Sequence, residues 1–466
     1  MRGKCTEGVQ IMKSKIKDNE KLIFFLLTIS AVILRLVYII RVPYNVNQHD
    51  AGDFTAGHIG YICYLVEHNW QLPNFNPTTV WSFYHPPLHH YLAAIVAKCS
   101  LLCGTDMAQA MENVQFLTVF YGLCTLLISY KLLKKFKLTG FALFLPYAIL
   151  CFHPSFIMLS GSINNDALCL LLTLVTAYMA LLWYEQPSFK RIVFLALVLA
   201  ATVLTKMSGL LLAPAVAFLF LMKLWKERKQ WKHYFAQFIT FGVICVPLAL
   251  SFSIRNLILW HVNPFFTLDL GDYMYTGNNI LERVFLIHKE QLASPFVIYN
   301  VTPSNGLSVD RNIILYLLKT SLYGDKFFLA SDSPLLWMAW VLHVVNLLLI
   351  LLSFVCLIVE VIRMLLAAFK EKSLFPYIKE CFLCLLYGSS FGSYIMFCFK
   401  YPNSCSQDYR YMNLTLIIAM VFLGSFLKRY SGTPGIHCKI LRCSLLAFTI
   451  LFSIFTTILF FNCSTV

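Results

Sequence analysis

Eleven apolar runs constrain how this chain can fold. They lie at residues 22–41, 113–130, 139–160, 166–184, 191–206, 208–224, 234–256, 334–362, 380–399, 412–427 and 443–461. Roughly 20 mostly apolar residues carry an α-helix across the hydrocarbon of a bilayer. Inside lipid every backbone N–H and C=O needs a partner within the protein, which leaves helices or closed barrels, and runs of this length select helices. The 466 residues are 59% hydrophobic and 13% charged, whereas soluble domains are roughly 45–50% apolar. The expected fold is therefore an all-α polytopic membrane protein with about 11 transmembrane helices. The first run is too long for a removed signal peptide and is followed by no small-residue cleavage site, so it reads as an uncleaved span.

Orientation follows from Lys and Arg, which are retained on the cytoplasmic side during insertion. With the N-terminus inside, the basic clusters at 2–21, 131–137, 190–191, 223–232, 363–379 and 428–442 all face the cytoplasm, and they hold 25 of the 37 Lys and Arg residues. The net charge of +15 is thus a topology signal and gives no support to a nucleic-acid partner. An odd number of spans places the 42–111 loop, the 257–333 segment and the C-terminus outside. The chain divides into a first span, that outward loop, spans 2–7 over 112–256, the second outward segment, and spans 8–11 over 334–461.

Polar chemistry concentrates in the first outward loop. Residues 44–103 contain six of the chain's twelve histidines (His49, His58, His68, His85, His89, His90), with Asp50, Asp53 and Glu67 as acids and Lys98 as the one base. Asp50 follows the first apolar run closely, which holds its carboxylate near the membrane surface. From Asp53 to His68 apolar residues recur at helical spacing, predicting a short helix along the interface. Pro86-Pro87 ends any helix before it, and a second helix should run from Leu88 to Leu102.

Later outward turns add to this set. Gly161-Ser-Ile-Asn-Asn-Asp166 puts Asn164, Asn165 and Asp166 at the mouth of a span, where Asp166 either caps the helix or serves a site. Thr205-Lys206 comes at the corresponding end of the next hairpin, where an ammonium near hydrocarbon either snorkels or binds an anion. The 257–333 segment carries Asp269, Asp272, Glu282, Arg283, Asp310, Arg311 and Lys319, and its run Ile313–Leu322 is too brief to span and should form another interfacial helix. Asp408-Tyr409-Arg410-Tyr411 opens a late span. Arg35, Lys206, Arg255 and Arg410 are cations at span ends that the topology rule does not require, and they suit a phosphate at the membrane surface. An outward carboxylate beside them can act as general base toward an acceptor hydroxyl.

These residues resemble a known family. His49-Asp50 in the first outward loop, Tyr84-His85-Pro86-Pro87-Leu88, Asn164-Asn165-Asp166, Thr205-Lys206 and Arg410-Tyr411 together resemble the GT-C glycosyltransferases, in particular the family 39 group containing protein O-mannosyltransferases and the bacterial aminoarabinose transferase. The resemblance covers most of the chain. It implies a GT-C fold, a polyprenyl-phosphate sugar donor, inversion at the anomeric carbon, and Asp50 as catalytic base. It also implies Lys206, Arg255 and Arg410 at the donor phosphate and His85 near the sugar or phosphate, with His49, Asp53, His89, Asn165, Asp166 and Tyr411 completing a substrate-binding set. No cofactor and no metal ligand set is expected, and the acceptor is expected to be a glycan, lipid or protein, with a bacterial plasma membrane as the location. Asp50 and Asp53 both remain available as the base, because Ala51 stands where many members carry a second adjacent acid.

Two other classes fit less of the pattern. A transporter or flippase would place ionisable groups near span centres on broken helices, whereas these acids fall in loops. A zinc hydrolase would use the histidines, but there is no H-E-x-x-H, and the neighbours His89 and His90 point apart on a helix. The sixteen cysteines sit mostly in apolar runs as small hydrophobes, and Cys381-x-x-Cys384 lacks the second pair of a zinc site.

Overall fold

The computed structural model describes residues 2–268, 271, 274–298, 306–325, 329, 333–430 and 435–462, with side chains from Asn19 onward. Asp269, Asp272 and the extreme C-terminus lie outside the described residues. The described chain is helical: α1 Arg2–Arg41, α2 Gly57–Glu67, α3 Leu88–Leu102, α4 Met107–Lys135, α5 Phe141–Phe152, α6 Pro154–Gly161, α7 Asp166–Glu185, α8 Phe189–Thr205, α9 Ala213–Lys226, α10 Trp231–Trp260, α11 Ile280–Phe285, α12 Ile313–Tyr323, α13 Leu336–Glu371, α14 Ile378–Lys400, α15 Asn413–Tyr430 and α16 Ile436–Phe461. Among the described residues nine helical stretches are long and apolar enough to cross a membrane, or ten if the bent pair α5–α6 is one span. The chain is an integral multi-pass membrane protein.

The expected run 191–206, which is not among those stretches, is the 17-residue helix α8. Its ends show that it traverses the same thickness as its neighbour: α7 begins at Asp166 and α8 ends beside Lys206, and these two side chains pair. At about 1.5 Å per residue, α7 rises roughly 30 Å and α8 returns nearly all of it.

The run 139–160 is not one straight helix. It bends by 48° at His153-Pro154, because proline offers no N–H to the preceding turn and pushes His153 to an extended backbone (φ −67, ψ 123). The carbonyls freed there need donors. Arg35, fully buried in α1, gives Nη1 to the carbonyl of Cys151 at 3.0 Å and Nε to Ser160 Oγ at 3.1 Å. Arg35 thereby repairs the break, and this accounts for the charge inside the first span.

The two short helices expected in the outward loops are present, and both are largely covered by the rest of the protein. In α2, Gly57 through Cys63, Leu65 and Val66 are all buried. They pack on Ala93, Ala94 and Ala97 of α3 and on Ala110, Met111 and Val114 of α4, forming a second small core apart from the main bundle. The three alanines let α2 and α3 approach closely. The α12 helix is likewise mostly buried, and its Lys319 pairs with Asp310 at 2.8 Å inside the protein.

One end of the bundle gathers the basic clusters into ion pairs, Lys134 with Glu20 at 3.6 Å, Lys135 and Lys379 with Glu185, and Lys223 with Glu227. The other end carries the loop 42–87 and the starts of α7 and α15.

Candidate active site

Three buried amides seat the first loop against the turn before α7. Gln48 donates to the carbonyl of Gly161 at 3.0 Å and accepts from the amide of Ile163 at 2.9 Å. Gln115 donates to the same Gly161 carbonyl at 3.1 Å, and Asn164 donates to the His49 carbonyl at 3.3 Å. Gly161 must be glycine for this contact, since a Cβ there would stand 2.7 Å from the Tyr38 ring. The result brings Asp50 beside Asp166.

The loop itself is wound tightly. Asp50 has a left-handed backbone (φ 54), a region that Asp and Asn tolerate far better than most residues. Its carbonyl and that of Ala51 accept from His58 and Ile59 N–H at 3.1 and 2.9 Å, satisfying donors at the start of α2. Asp53 does local work: Oδ1 accepts from the Thr55 and Ala56 amides at 2.7 and 3.0 Å and from the Thr55 hydroxyl at 2.6 Å. Those bonds hold the exposed Asp53 carboxyl below its ordinary value, and they turn it away from Asp50's surroundings.

Asp166 is the first residue of α7, and the capping acceptor is Asn164 Oδ1, 3.0 Å from the Asp166 amide. Asn165 clips the start of α7 to the end of α8 by donating to the Thr205 carbonyl at 2.8 Å. That fixes Lys206 against Asp166. From the far end of the chain, Asp408 Oδ1 accepts from the Arg410 amide at 2.6 Å and shapes the turn that aims Arg410 inward. Arg410 Nη2 reaches Asp50 Oδ2 at 2.8 Å and the Tyr411 hydroxyl at 2.8 Å, while Nη1 lies 3.8 Å from Asp166 Oδ2. Lys206 also stands over the Tyr411 ring, 5.3 Å from its centre.

Two carboxylates and two cations thus meet at the head of a cavity of about 380 Å³, a size typical of ligand sites. Asp50, His58, Tyr84, His85, Asp166, Lys206, Arg410 and Tyr411 line its head. Leu170, Leu211, Leu212, Phe252, Leu386, Tyr394, Phe397 and Leu414, from α7, α10, α14, α15 and the turn before α9, line it too, with Ser208, Ser253, Asn256, Ser390, Ser393 and Asn413 among them. Asn263, Pro264, Phe266 and Thr267 of the second loop also border it, with Phe266 edge-on to Tyr84 at 5.2 Å. The Asp50 side chain is 38% exposed and that of Arg410 is 7%. Burial alone would raise the Asp50 carboxyl; Arg410, His49 and Lys206 outweigh it and hold Asp50 below its ordinary value.

His85 belongs to a stack of buried rings. His58 lies 5.2 Å from His85 and 5.0 Å from His90, with His58 Nδ1 and His90 Nε2 sharing a proton at 2.8 Å. Burial, then Lys206, pushes His85 down to about 4, and burial with the neighbouring rings puts His58 and His90 well below the usual imidazole value. The rings facing the cavity are neutral.

Several expected site residues are elsewhere. Arg255 does not line the cavity; its guanidinium donates to the Pro73 carbonyl at 2.7 Å and to Asn256 at 3.0 Å, pinning the first loop to α10. His89 is fully buried and bonds the Ile163 carbonyl at 2.6 Å. His49 does not line the cavity and lies 3.0 Å from Asp325 and 4.0 Å from Asp408. Asn165 and Asp53 make the bonds described above, and neither lines the cavity. Among the cavity-lining residues that sequence reasoning missed as site members are His58, Tyr84 and Asn256. Tyr84 had a signal in its place before His85-Pro86-Pro87, and Asn256 in its place beside Arg255; His58 had none beyond its loop.

The dolichyl-phosphate-mannose-protein mannosyltransferase family matches residues 84–250, about a third of the chain. No curated protein sequence matches it. Among solved structures, the chain is similar to ArnT from Cupriavidus metallidurans in the apo state, with a TM-score of 0.53 and 11% identity over 94% of this chain and 75% of ArnT. It is similarly close to the archaeal oligosaccharyltransferase AglB from Archaeoglobus fulgidus in complex with an inhibitory peptide and a dolichol-phosphate. There the TM-score is 0.52 and the identity 12%, over 95% of this chain and 56% of AglB. Nearly complete coverage at such low identity is likeness of architecture, and the chain has the GT-C fold that its sequence led us to expect.

Proposed function

We propose that this chain is a membrane glycosyltransferase that moves a sugar from a polyprenyl-phosphate carrier to an acceptor hydroxyl, with inversion and with Asp50 as the base. The observation that carries the reading is the cavity's mixed lining, with Lys206 and Arg410 beside a mainly apolar surface to which Leu170, Leu211, Leu212, Phe252, Leu386, Phe397 and Leu414 contribute. A donor with a phosphate head and a hydrocarbon tail matches both at once. A water-soluble sugar nucleotide would leave the apolar surface unused.

The chemistry assigns each group a step. The acceptor hydroxyl attacks the anomeric carbon from the face opposite the phosphate, the C–O bond to phosphate breaks, and the bonding electrons leave on the phosphate oxygen. Asp50 takes the hydroxyl proton. Lys206 meets the phosphate as a point charge and Arg410 through its planar fork, whose Nε and Nη1 make no hydrogen bond. Both cations are now held by carboxylates, so donor binding exchanges part of the Asp50 and Asp166 contacts for phosphate and frees Asp50 as it arrives. The neutral His85 and Tyr84 are hydrogen-bonding groups for the sugar.

Two features favour an extracytoplasmic site. The ion-paired basic clusters gather at the end opposite the cavity head, and the N-terminal helix runs from that end toward it. We place the N-terminus inside and the site outside, in the membrane of whichever cell makes the lipid donor.

The test is to incubate the purified protein with a panel of polyprenyl-phosphate sugars and measure the free lipid phosphate released. Turnover with any member supports the reading. Binding of lipid phosphates without release, together with their movement across vesicles, would make the chain a lipid carrier instead.

A further inference from the structure

We propose that His49, Asp325 and Asp408 form a binding site for one first-row divalent metal ion, beside the cavity but separate from it. One nitrogen from His49 and one oxygen from each aspartate all lie within 4.8 Å of one another. These residues come from three distant segments: the first loop, the turn after α12, and the turn before α15. None of them lines the cavity.

The independent observation is at Asp408. Its side chain is 3% exposed, Oδ1 is used by the Arg410 amide, and Oδ2 has no hydrogen-bond partner among the described residues. That oxygen is the one turned toward the His49 ring, at 4.0 Å. A buried carboxylate oxygen without a donor is costly, and a shared cation is the ordinary way to satisfy one. Gly324, with φ +61, turns the chain to present Asp325, and the space at its missing side chain is bounded by His49 Nε2 at 3.7 Å.

The donor set selects the kind of ion. Imidazole with two carboxylates suits Zn²⁺, Fe²⁺ or Mn²⁺ better than Mg²⁺ or Ca²⁺, which prefer oxygen alone. Ligands at about 2.0–2.2 Å from a zinc ion are roughly 3.3–3.6 Å apart in a tetrahedron. Movement of about 1 Å by side chains closes the present spacing. Three protein ligands leave a position for water. The ion would tie Asp408, and through it Arg410 two residues on, to the loop that carries Asp50.

The experiment uses the full chain, purified in detergent without a histidine tag, stripped with a chelator and then exposed to Zn²⁺ or Mn²⁺. We expect about one ion per chain retained after desalting, a bound Mn²⁺ signal in electron paramagnetic resonance, and a higher unfolding midpoint with Zn²⁺. His49→Gln and Asp408→Asn should each weaken binding by more than the roughly 10- to 100-fold typical of losing an outer partner. Asp50→Asn should retain the ion. Asp325→Asn, on the loop side, supplies the ligand test if Asp408→Asn does not fold. No retention of either ion by the wild-type chain overturns the proposal, His49 then bridging the carboxylates as an imidazolium. Loss of the ion in Asp50→Asn with retention in Asp408→Asn overturns it too, by moving the ion into the cavity. Metal content is read without donor or acceptor, so failure here and failure of the glycosyltransferase reading are separate results.

Discussion

Arg410 Nη2 sits 2.8 Å from Asp50 Oδ2, joining the first loop to the last third of the chain and setting the charge on the proposed base. Burial works against the Asp50 anion, and the Arg410 guanidinium does most to stabilise it. Because the folded value is depressed, the anion persists below the ordinary aspartate value of about 3.9 and is lost only as pH falls through the lower folded value. Turnover should therefore be level from pH 7 to pH 5. In Arg410→Gln the burial effect is left with less opposition, and the acid limb should move upward. A pH profile of single-turnover release on both proteins checks it; coincident acid limbs would show that Arg410 does not govern Asp50.

Asp50→Asn keeps the size and backbone preference of Asp50 but has no oxygen to accept a proton. A general base contributes about 10²- to 10⁴-fold, so turnover should fall by that order with lipid-donor binding preserved. Asp53→Asn should turn over at near the wild-type rate, because its carboxylate is occupied by Thr55 and Ala56. Collapse in Asp53→Asn with normal turnover in Asp50→Asn would hand the role to Asp53.

Lys206→Gln and Arg410→Gln should each weaken donor affinity, by about tenfold or more given that a hydrogen bond to a charged group contributes about 1.5–3 kcal/mol. Arg255→Gln should leave donor affinity unchanged and loosen the first loop, since its guanidinium grips Pro73. Donor titration of the three variants decides between a two-cation and a three-cation clamp. A loss in Arg255→Gln as large as in the others would restore it to the site.

His89→Leu should lower stability by about 1–3 kcal/mol, the cost of leaving a buried carbonyl without its donor, here that of Ile163. Thermal unfolding in detergent measures this. Turnover per folded molecule should change little, and a large loss of rate at unchanged stability would argue for a direct role.

The helices were legible because their signal is local. Pro86-Pro87 marked the start of α3 to the residue, and the end at Leu102 also agreed. The break at Pro154 was visible in the sequence as a proline, yet an apolar run this long reads as one span until the bend is seen. The covering of α2 and α12 could not be read, because an amphipathic pattern says that one face is apolar without saying what lies on the other. Asp50, expected from its loop beside the first span, and Asp166, Lys206 and Arg410, expected from their charge at span ends, all line one cavity. Arg35 and Arg255 had the same signal and bind backbone carbonyls instead, a difference that depends on partners 116 and 182 residues away. Asp325 and Asp408 gave no sign of meeting His49.

The left-handed backbone at Asp50 limits heredity as well as geometry. Glycine, asparagine and aspartate are the residues that adopt such a conformation at little cost, and aspartate alone of these brings a carboxylate. Glutamate at position 50 would bring the acid on a backbone it disfavours and with an extra methylene. A saturation library at this codon, sorted only for folded protein at the membrane, should return glycine and asparagine alongside aspartate; sorted again for transfer, it should narrow to aspartate.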